Sequence, residues 1–190
     1  MTALGRVVRI QVQRDPIKLK GEGYFPEPLL HGEEAAIGPQ GIVLRHGDAW
    51  VVDSHHGAHP RGKGGGNRAL SIGFTSHYDA MAGRFGSAPL GIAGENLIVE
   101  ADGIVTEADL AGTIVVSAAD GEIPLTGARV AAPCKEFCTF MLGETGVLPL
   151  EQIQGHMDFL ADGMRGFILD VAHLEQHHLV RVGDEVAVRA

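Results

Sequence analysis

Glycine supplies 27 of the 190 residues, about twice its usual share of roughly 7%. That excess dictates a chain of turns, bulges and close backbone approaches rather than long helices. Between the glycines stand short β-branched runs. Residues 6–13 alternate apolar and polar side chains with near period two, the pattern of a strand. Residues 41–45 and 49–53 flank His46-Gly47-Asp48 and read as a hairpin. Further strands are expected at 69–72, 94–100, 112–117 and 123–131, with 166–171 and 179–188 as two closing strands. Residues 15–40, interrupted by Pro16, Pro26, Pro28 and Pro39, read as irregular chain. One short helix opens near Thr75, with Ser76 and Asp79 spaced as a capping box and Tyr78, Met81, Ala82 and Phe85 on its core face. A second follows Pro149, with Leu150, Ile153, Met157 and Leu160 as its stripe and Gly163 as its stop. The expected fold class is mainly β: a closed or partly open β-barrel with a few inserted short helices, formed as one domain over residues 1–190.

Charge and composition exclude several functions. Fifteen Lys and Arg against 24 Asp and Glu leave a net charge of −9, which repels polyphosphate, so no nucleic-acid partner is expected. At 45% hydrophobic and 21% charged residues the chain can bury a core. No apolar run approaches membrane-spanning length and the N-terminus lacks a signal-peptide core, so no membrane association is expected and the start reads as mature protein. The two cysteines, Cys134 and Cys138, are too few for a disulfide framework, and a cytoplasmic protein with free thiols is the expectation.

Three features could carry chemistry. Residues 57–64 have the glycine and lysine spacing of a P-loop, but Gly64 stands where Ser or Thr must hold magnesium and no helix follows. The loop is either a flexible surface segment or a cradle in which bare amides, Lys63 and Arg68 hold an anionic group. His55, His56 and His59 share that loop, and His177-His178 lie near the C-terminus; without HExxH or a placeable third ligand, solvated loop histidines are favoured over zinc. Cys134 follows Pro133 in a segment leaving a strand, which puts its sulfur at a rim, and Lys135 beside it favours the thiolate. Cys138, four residues on, shares that face if the segment is helical, although CxxxC is not the redox CxxC motif.

Gly94-Glu95-Asn96-Leu97 before a strand, then Pro133-Cys134, Arg165-Gly166-Phe167 and Val182-Gly183-Asp184-Glu185-Val186 occur in the order and spacing of the MOSC domain, named for the C-terminal domain of molybdenum cofactor sulfurases. Asn67-Arg68-Ala69-Leu70-Ser71 and His77-Tyr78 upstream are similar to that family's glycine-rich loop, strand and helix. The resemblance covers residues 50–189. It implies a strand-rich barrel in which Cys134 accepts sulfur from a pyridoxal-phosphate (PLP) dependent cysteine desulfurase, carries it as a persulfide and delivers it to a metal–sulfur or molybdopterin centre. PLP would enter only through that partner, and a molybdoenzyme is the implied recipient. In the amidoxime-reducing branch the equivalent cysteine ligates molybdenum, so a non-catalytic molybdenum cofactor-binding module with Cys134 as metal ligand is the alternative. Glu95 and Asn96 would shape the wall beside Cys134, and Lys63 and Arg68 would contact a pterin phosphate. The family's HGG signature is replaced here by the run 62–67, with His59 displaced upstream.

Overall fold

The computed structural model describes residues 1–61 and 68–190; Lys63 therefore lies outside the described residues. The strands are β1 (Thr2–Gln13), β2 (Lys18–Leu19), β3 (Gly23–Tyr24), β4 (Leu29–Gly32), β5 (Glu34–Gly38), β6 (Gly41–His46), β7 (Ala49–Val52), β8 (Leu70–Phe74), β9 (Leu97–Val99), β10 (Thr113–Ala118), β11 (Gly121–Val130), β12 (Phe167–Asp170), β13 (His178–Arg181) and β14 (Glu185–Arg189). The helices are α1 (Thr75–Phe85), α2 (Lys135–Met141) and α3 (Leu150–Ala161), with one 3₁₀ turn at Ala108–Leu110.

Seven strands close into a barrel in the order β14-β10-β11-β12-β8-β9-β1, with β1 returning to β14. Closure abolishes exposed edges in that ring. Neighbours in it run antiparallel except β8 and β9, which are parallel and are connected through α1, as a parallel pair requires. The long β1 makes closure possible because it serves three partners in turn. Thr2 to Arg6 pair with β14, Val7 to Ile10 with β9, and Ile10 to Gln13 with β4. A second antiparallel sheet, β13-β5-β6-β7, contributes Ile37, Ile42, Leu44 and Val180 to the same core as the barrel's Ile10, Leu70, Phe74 and Phe167.

The three helices share a second core on the outer side of β9. Period-two alternation sends Leu97 and Val99 into the barrel, while Ile98 joins Tyr78, Met81, Phe137, Ile153 and Leu160 under the helices. Phe74, Phe137 and Phe167 are fully buried, and truncating any one to alanine would cost about 3–5 kcal/mol.

The barrel with short helices agrees with the sequence reading, and four local differences have physical causes. Residues 15–40 are not wholly irregular: β2 to β5 form there, with the prolines at 16, 26, 28 and 39 falling outside the strands. The stretch 179–188 is two strands, because Asp184 accepts from the amide of Arg181 at 2.8 Å and closes a turn between β13 and β14. Ser76 does not cap α1. Phe74 occupies the cap position without a side-chain bond, and Ser76 Oγ donates to the Gly103 carbonyl at 2.8 Å. Leu150 begins α3 but is 44% exposed, since the first turn overhangs the helical core.

The β1 register shifts between Ala3 and Gly5, where Gly5 takes φ +152° and its α-carbon faces the Glu100 carbonyl so closely that a β-carbon would overlap it. Gly5→Ala is expected to lower unfolding free energy by about 2 kcal/mol or more, measured as a reduced urea midpoint with an unchanged slope.

Candidate functional site

Cys134 sits where β11 gives way to α2. The strand exit is held against the start of β12 by the Ala131 amide bonding the Gly166 carbonyl at 3.0 Å. Pro133 then follows, and Cys134 adopts extended backbone as the residue capping α2. The Cys138 amide donates to the Cys134 carbonyl at 3.1 Å, the first helical bond of that segment. The two cysteines thus belong to one helical turn, yet their environments diverge. Cys138 is fully buried in the helical core, and burial, with the neighbouring Cys134, pushes its thiol up to about 11. Cys134 is 8% exposed and borders a cleft of about 510 Å³.

Arg165 organises that sulfur's surroundings. Its guanidinium lies 4.4 Å from the Phe137 ring centroid, and Nη1 donates to Cys134 Sγ at 3.3 Å. Nη2 donates to the Ala93 carbonyl at 3.2 Å. A guanidinium only donates, so sulfur is the acceptor, and negative charge developing on sulfur has a fixed cation beside it. Next to it, Gly166 has φ +79° and faces the Ile72 carbonyl with no space for a β-carbon, which explains glycine after the arginine.

Glu95 forms the opposite kind of wall. It is 2% exposed, and Oε2 accepts from the Tyr78 hydroxyl at 2.5 Å. Oε1 has no hydrogen-bond partner among the described residues. Burial raises the carboxyl to about 6, opposed by the Tyr78 bond and by Arg165. Gly73 gives the carboxylate its room: a β-carbon there would lie 2.6 Å from Oε1.

Asn96 is placed beside this wall but faces the fold. Its Oδ1 accepts from the amide and hydroxyl of Ser71, both at 3.0 Å, and Nδ2 donates to the Gln11 carbonyl at 3.2 Å and Asp53 Oδ2 at 3.0 Å. The amide side chain thereby ties β1, β8 and the end of β7 together. Gly94, before it, takes φ +91°, as a tight turn needs.

Cations gather on this cleft despite the net charge of −9. Lys18, Arg68, Arg129 and Arg165 all border it, against the single carboxylate of Glu95. Arg129 Nη2 is buried without a hydrogen-bond partner among the described residues. Lys18 lies 3.8 Å from Glu136 Oε2. Of the residues singled out from sequence, Cys134, Glu95, Arg68 and His55 meet at the cleft, and Asn96 stands behind it. Lys135 projects from the first turn of α2 and does not border the cleft. Arg165, Arg129, Lys18 and Tyr24 were not singled out as site residues. The arginine of Arg165-Gly166-Phe167 had a usable signal, a cation directly before a glycine that starts a strand. Among the described residues, no group of three or more His, Cys, Asp or Glu side chains converges as a metal site. No helix there is long and apolar enough to cross a membrane.

A strand-rich barrel with a single cleft-facing thiol beside a buried carboxylate and clustered arginines defines the class that sequence comparison also finds. The MOSC domain profile matches residues 53–187, and the chain belongs to the MOSC domain family. A search of curated proteins returned no match. Among solved structures, the fold is similar to the YuaD protein from Bacillus subtilis, with a TM-score of 0.55 and 16% identity over 98% of this chain and 94% of that one. It is also similar to YiiM from Geobacillus stearothermophilus, with a TM-score of 0.51 and 18% identity over 97% of this chain and 75% of that one.

The Glu95 carboxyl is raised in the fold, from 4.5 to about 6. Its stabilising contribution is therefore complete below about pH 4.5 and lost as pH rises through about 6, a cost of about 2 kcal/mol by neutral pH. Glu95→Gln keeps an acceptor for Tyr78 and removes that loss. Urea titrations at about pH 4.5 and 7.5 should show wild type losing more stability than the variant over this interval.

Proposed function

We propose that this protein is a sulfur carrier of the sulfurtransferase type, with Cys134 taking up sulfane sulfur as a persulfide and passing it to a metal–sulfur or molybdopterin centre. The observation that carries this reading is the division of labour between the two thiols. One is sealed in the helical core, and the other borders a cationic cleft with Arg165 on its sulfur. Membership of the MOSC family, whose members are linked to molybdenum cofactor biology, supports it.

Sulfur transfer needs a nucleophilic thiolate and a place for the acceptor. Arg165 supplies the positive field at Sγ, and the excess of cations around the cleft suits an anionic acceptor. Glu95 forms the wall facing that space, and Asn96 fixes the turn from which Glu95 projects. The sulfur donor in this reading is a PLP-dependent cysteine desulfurase, so PLP acts only in the partner, and the recipient is a molybdoenzyme. Both free thiols suit a cytoplasmic setting.

The test is acceptance of sulfur in vitro. Protein incubated with a cysteine desulfurase and cysteine should gain about 32 Da, one sulfur atom, as a persulfide. Peptide mapping should place it on residue 134, and Cys134→Ala should abolish it while Cys138→Ala retains it. A folded wild-type protein that gains no sulfur, or carries it on Cys138, would overturn the reading.

A second reading, in which Cys134 ligates molybdenum in a non-catalytic cofactor-binding module, draws on Arg129. Its buried Nη2 without a partner among the described residues, with Arg68 nearby on the cleft, fits the phosphate of a pterin cofactor. Lys63, the other phosphate contact implied by the sequence resemblance, lies outside the described residues. Bound there, the cofactor would supply a redox-active metal to the cleft. This reading requires molybdenum and pterin to copurify in equal amounts with the wild-type protein and to be lost from Cys134→Ser; metal-free wild-type protein from molybdate-supplied cells would count against it.

A further inference from the structure

Asp53 is a fully buried carboxylate whose bonds all run to donors. Oδ2 accepts from the Gln13 amide at 2.8 Å and from Asn96 Nδ2 at 3.0 Å, and Oδ1 accepts from the His55 amide at 2.8 Å. The last bond is to the His55 ring: Nδ1 lies 3.0 Å from Oδ1. A carboxylate held by so many donors can only accept, so the ring proton sits on Nδ1 and Nε2 is the nitrogen directed away from Asp53. The ring is not buried with its partner. Its side chain is 46% exposed, and His55 borders the same cleft as Cys134 and Arg165. A buried acid that orients a half-exposed imidazole toward a reaction space is the arrangement of a proton-transfer pair.

The loop histidines differ in this respect. His56 is 5% exposed, with its ring nitrogen Nδ1 accepting from the Ala58 amide at 3.1 Å. His59 Nε2 bonds the Arg14 carbonyl at 3.0 Å. Both rings serve the loop, whereas His55 combines a charged orienting partner with a place on the cleft.

We propose that His55, oriented by Asp53, is the proton donor to the departing sulfur when Cys134 is loaded; this rests on the sulfur-carrier reading above. The Cys134 thiolate attacks the sulfane sulfur of a donor persulfide R–S–SH. A bond forms between Sγ and that sulfur while the donor's S–S bond breaks, and its electron pair goes to R–S. The imidazolium of His55 gives that thiolate the proton from Nε2, so R–SH leaves, the ring becomes neutral, and solvent at the exposed edge reprotonates it. Charge and atoms balance without an external oxidant or reductant. Asp53 is the positioning residue: its carboxylate holds the ring at Nδ1 and leaves Nε2 as the nitrogen that delivers the proton.

Leaving-group dependence tests the assignment. Single-turnover loading of the full chain is followed by mass with two donors, an alkyl persulfide and inorganic thiosulfate. The alkyl thiolate is a basic leaving group that benefits from protonation, whereas sulfite departs without a proton. His55→Gln should slow loading from the alkyl persulfide by about 100-fold and from thiosulfate by less than about threefold. Added imidazole should restore a large part of the alkyl-persulfide rate to His55→Gly. Equal slowing with both donors would mean a structural role for His55 and overturn the proposal, as would no slowing with either. Wild-type protein that loads from neither donor would overturn the carrier reading itself, an outcome distinct from an unaffected His55 variant.

Discussion

One half-buried guanidinium holds the candidate site together. Arg165 stacks on Phe137, bonds the Ala93 carbonyl ahead of the Gly94 turn, and donates to Cys134 Sγ at the head of α2. Two chain segments distant in sequence, one at Ala93 and one at Cys134 to Phe137, converge on it. Nη1 and Nη2 reach the sulfur and the Ala93 carbonyl, while Nε is buried without a hydrogen-bond partner among the described residues, so those two bonds and the Phe137 face hold the side chain in place. The aromatic face below it adds cation–π attraction and belongs to the helical core rather than the barrel. Chemistry at Cys134 is thereby coupled to the packing of α2 on α3 and β3.

Around that contact the fold sorts charge and polarity by depth. The barrel interior is apolar, with Leu70, Ile72, Phe74, Leu97 and Phe167 at or near zero exposure. Its outer wall near the β9 turn carries a polar layer in which Asp53, Asn96, Ser71 and Gln11 satisfy one another. Only beyond that layer do the cleft groups appear, and there cations outnumber the one carboxylate. An acidic chain has thus placed positive potential at one concave surface, where a low-dielectric floor strengthens it. Glu95 is the exception, and its burial against Gly73 and Gly166 raises its proton affinity.

Much of this was legible in the sequence, for reasons that differ by residue. The barrel strands at 6–13 and 112–117 could be read, the first from its near period-two pattern and the second from its β-branched run, whose Ile114, Val115 and Val116 are all buried. Cys134 could be read because a thiol after Pro133 at a strand exit stands at a rim. Residues 15–40 could not. Strands as short as Lys18–Leu19 and Gly23–Tyr24 carry no periodicity, yet they bring Lys18 and Tyr24 to the cleft. Asn96 is expected from sequence to line the wall beside Cys134; its partners Gln11, Asp53 and Ser71 lie 25 to 85 residues away in the chain, and no local pattern encodes such pairing. The cysteine pair was read as sharing a face. Both belong to the helical core, and only Cys134 reaches the cleft, a tertiary fact.

The account stands on Cys134 being the reactive thiol because Arg165 faces it. Native alkylation with iodoacetamide, followed by peptide mapping of both cysteines in wild type and Arg165→Gln, measures that most directly. Cys134 should be modified while Cys138 stays protected until denaturant is added, and Arg165→Gln should slow Cys134 by about tenfold or more. A Cys134 that reacts only after unfolding, or reacts equally fast without Arg165, would contradict it.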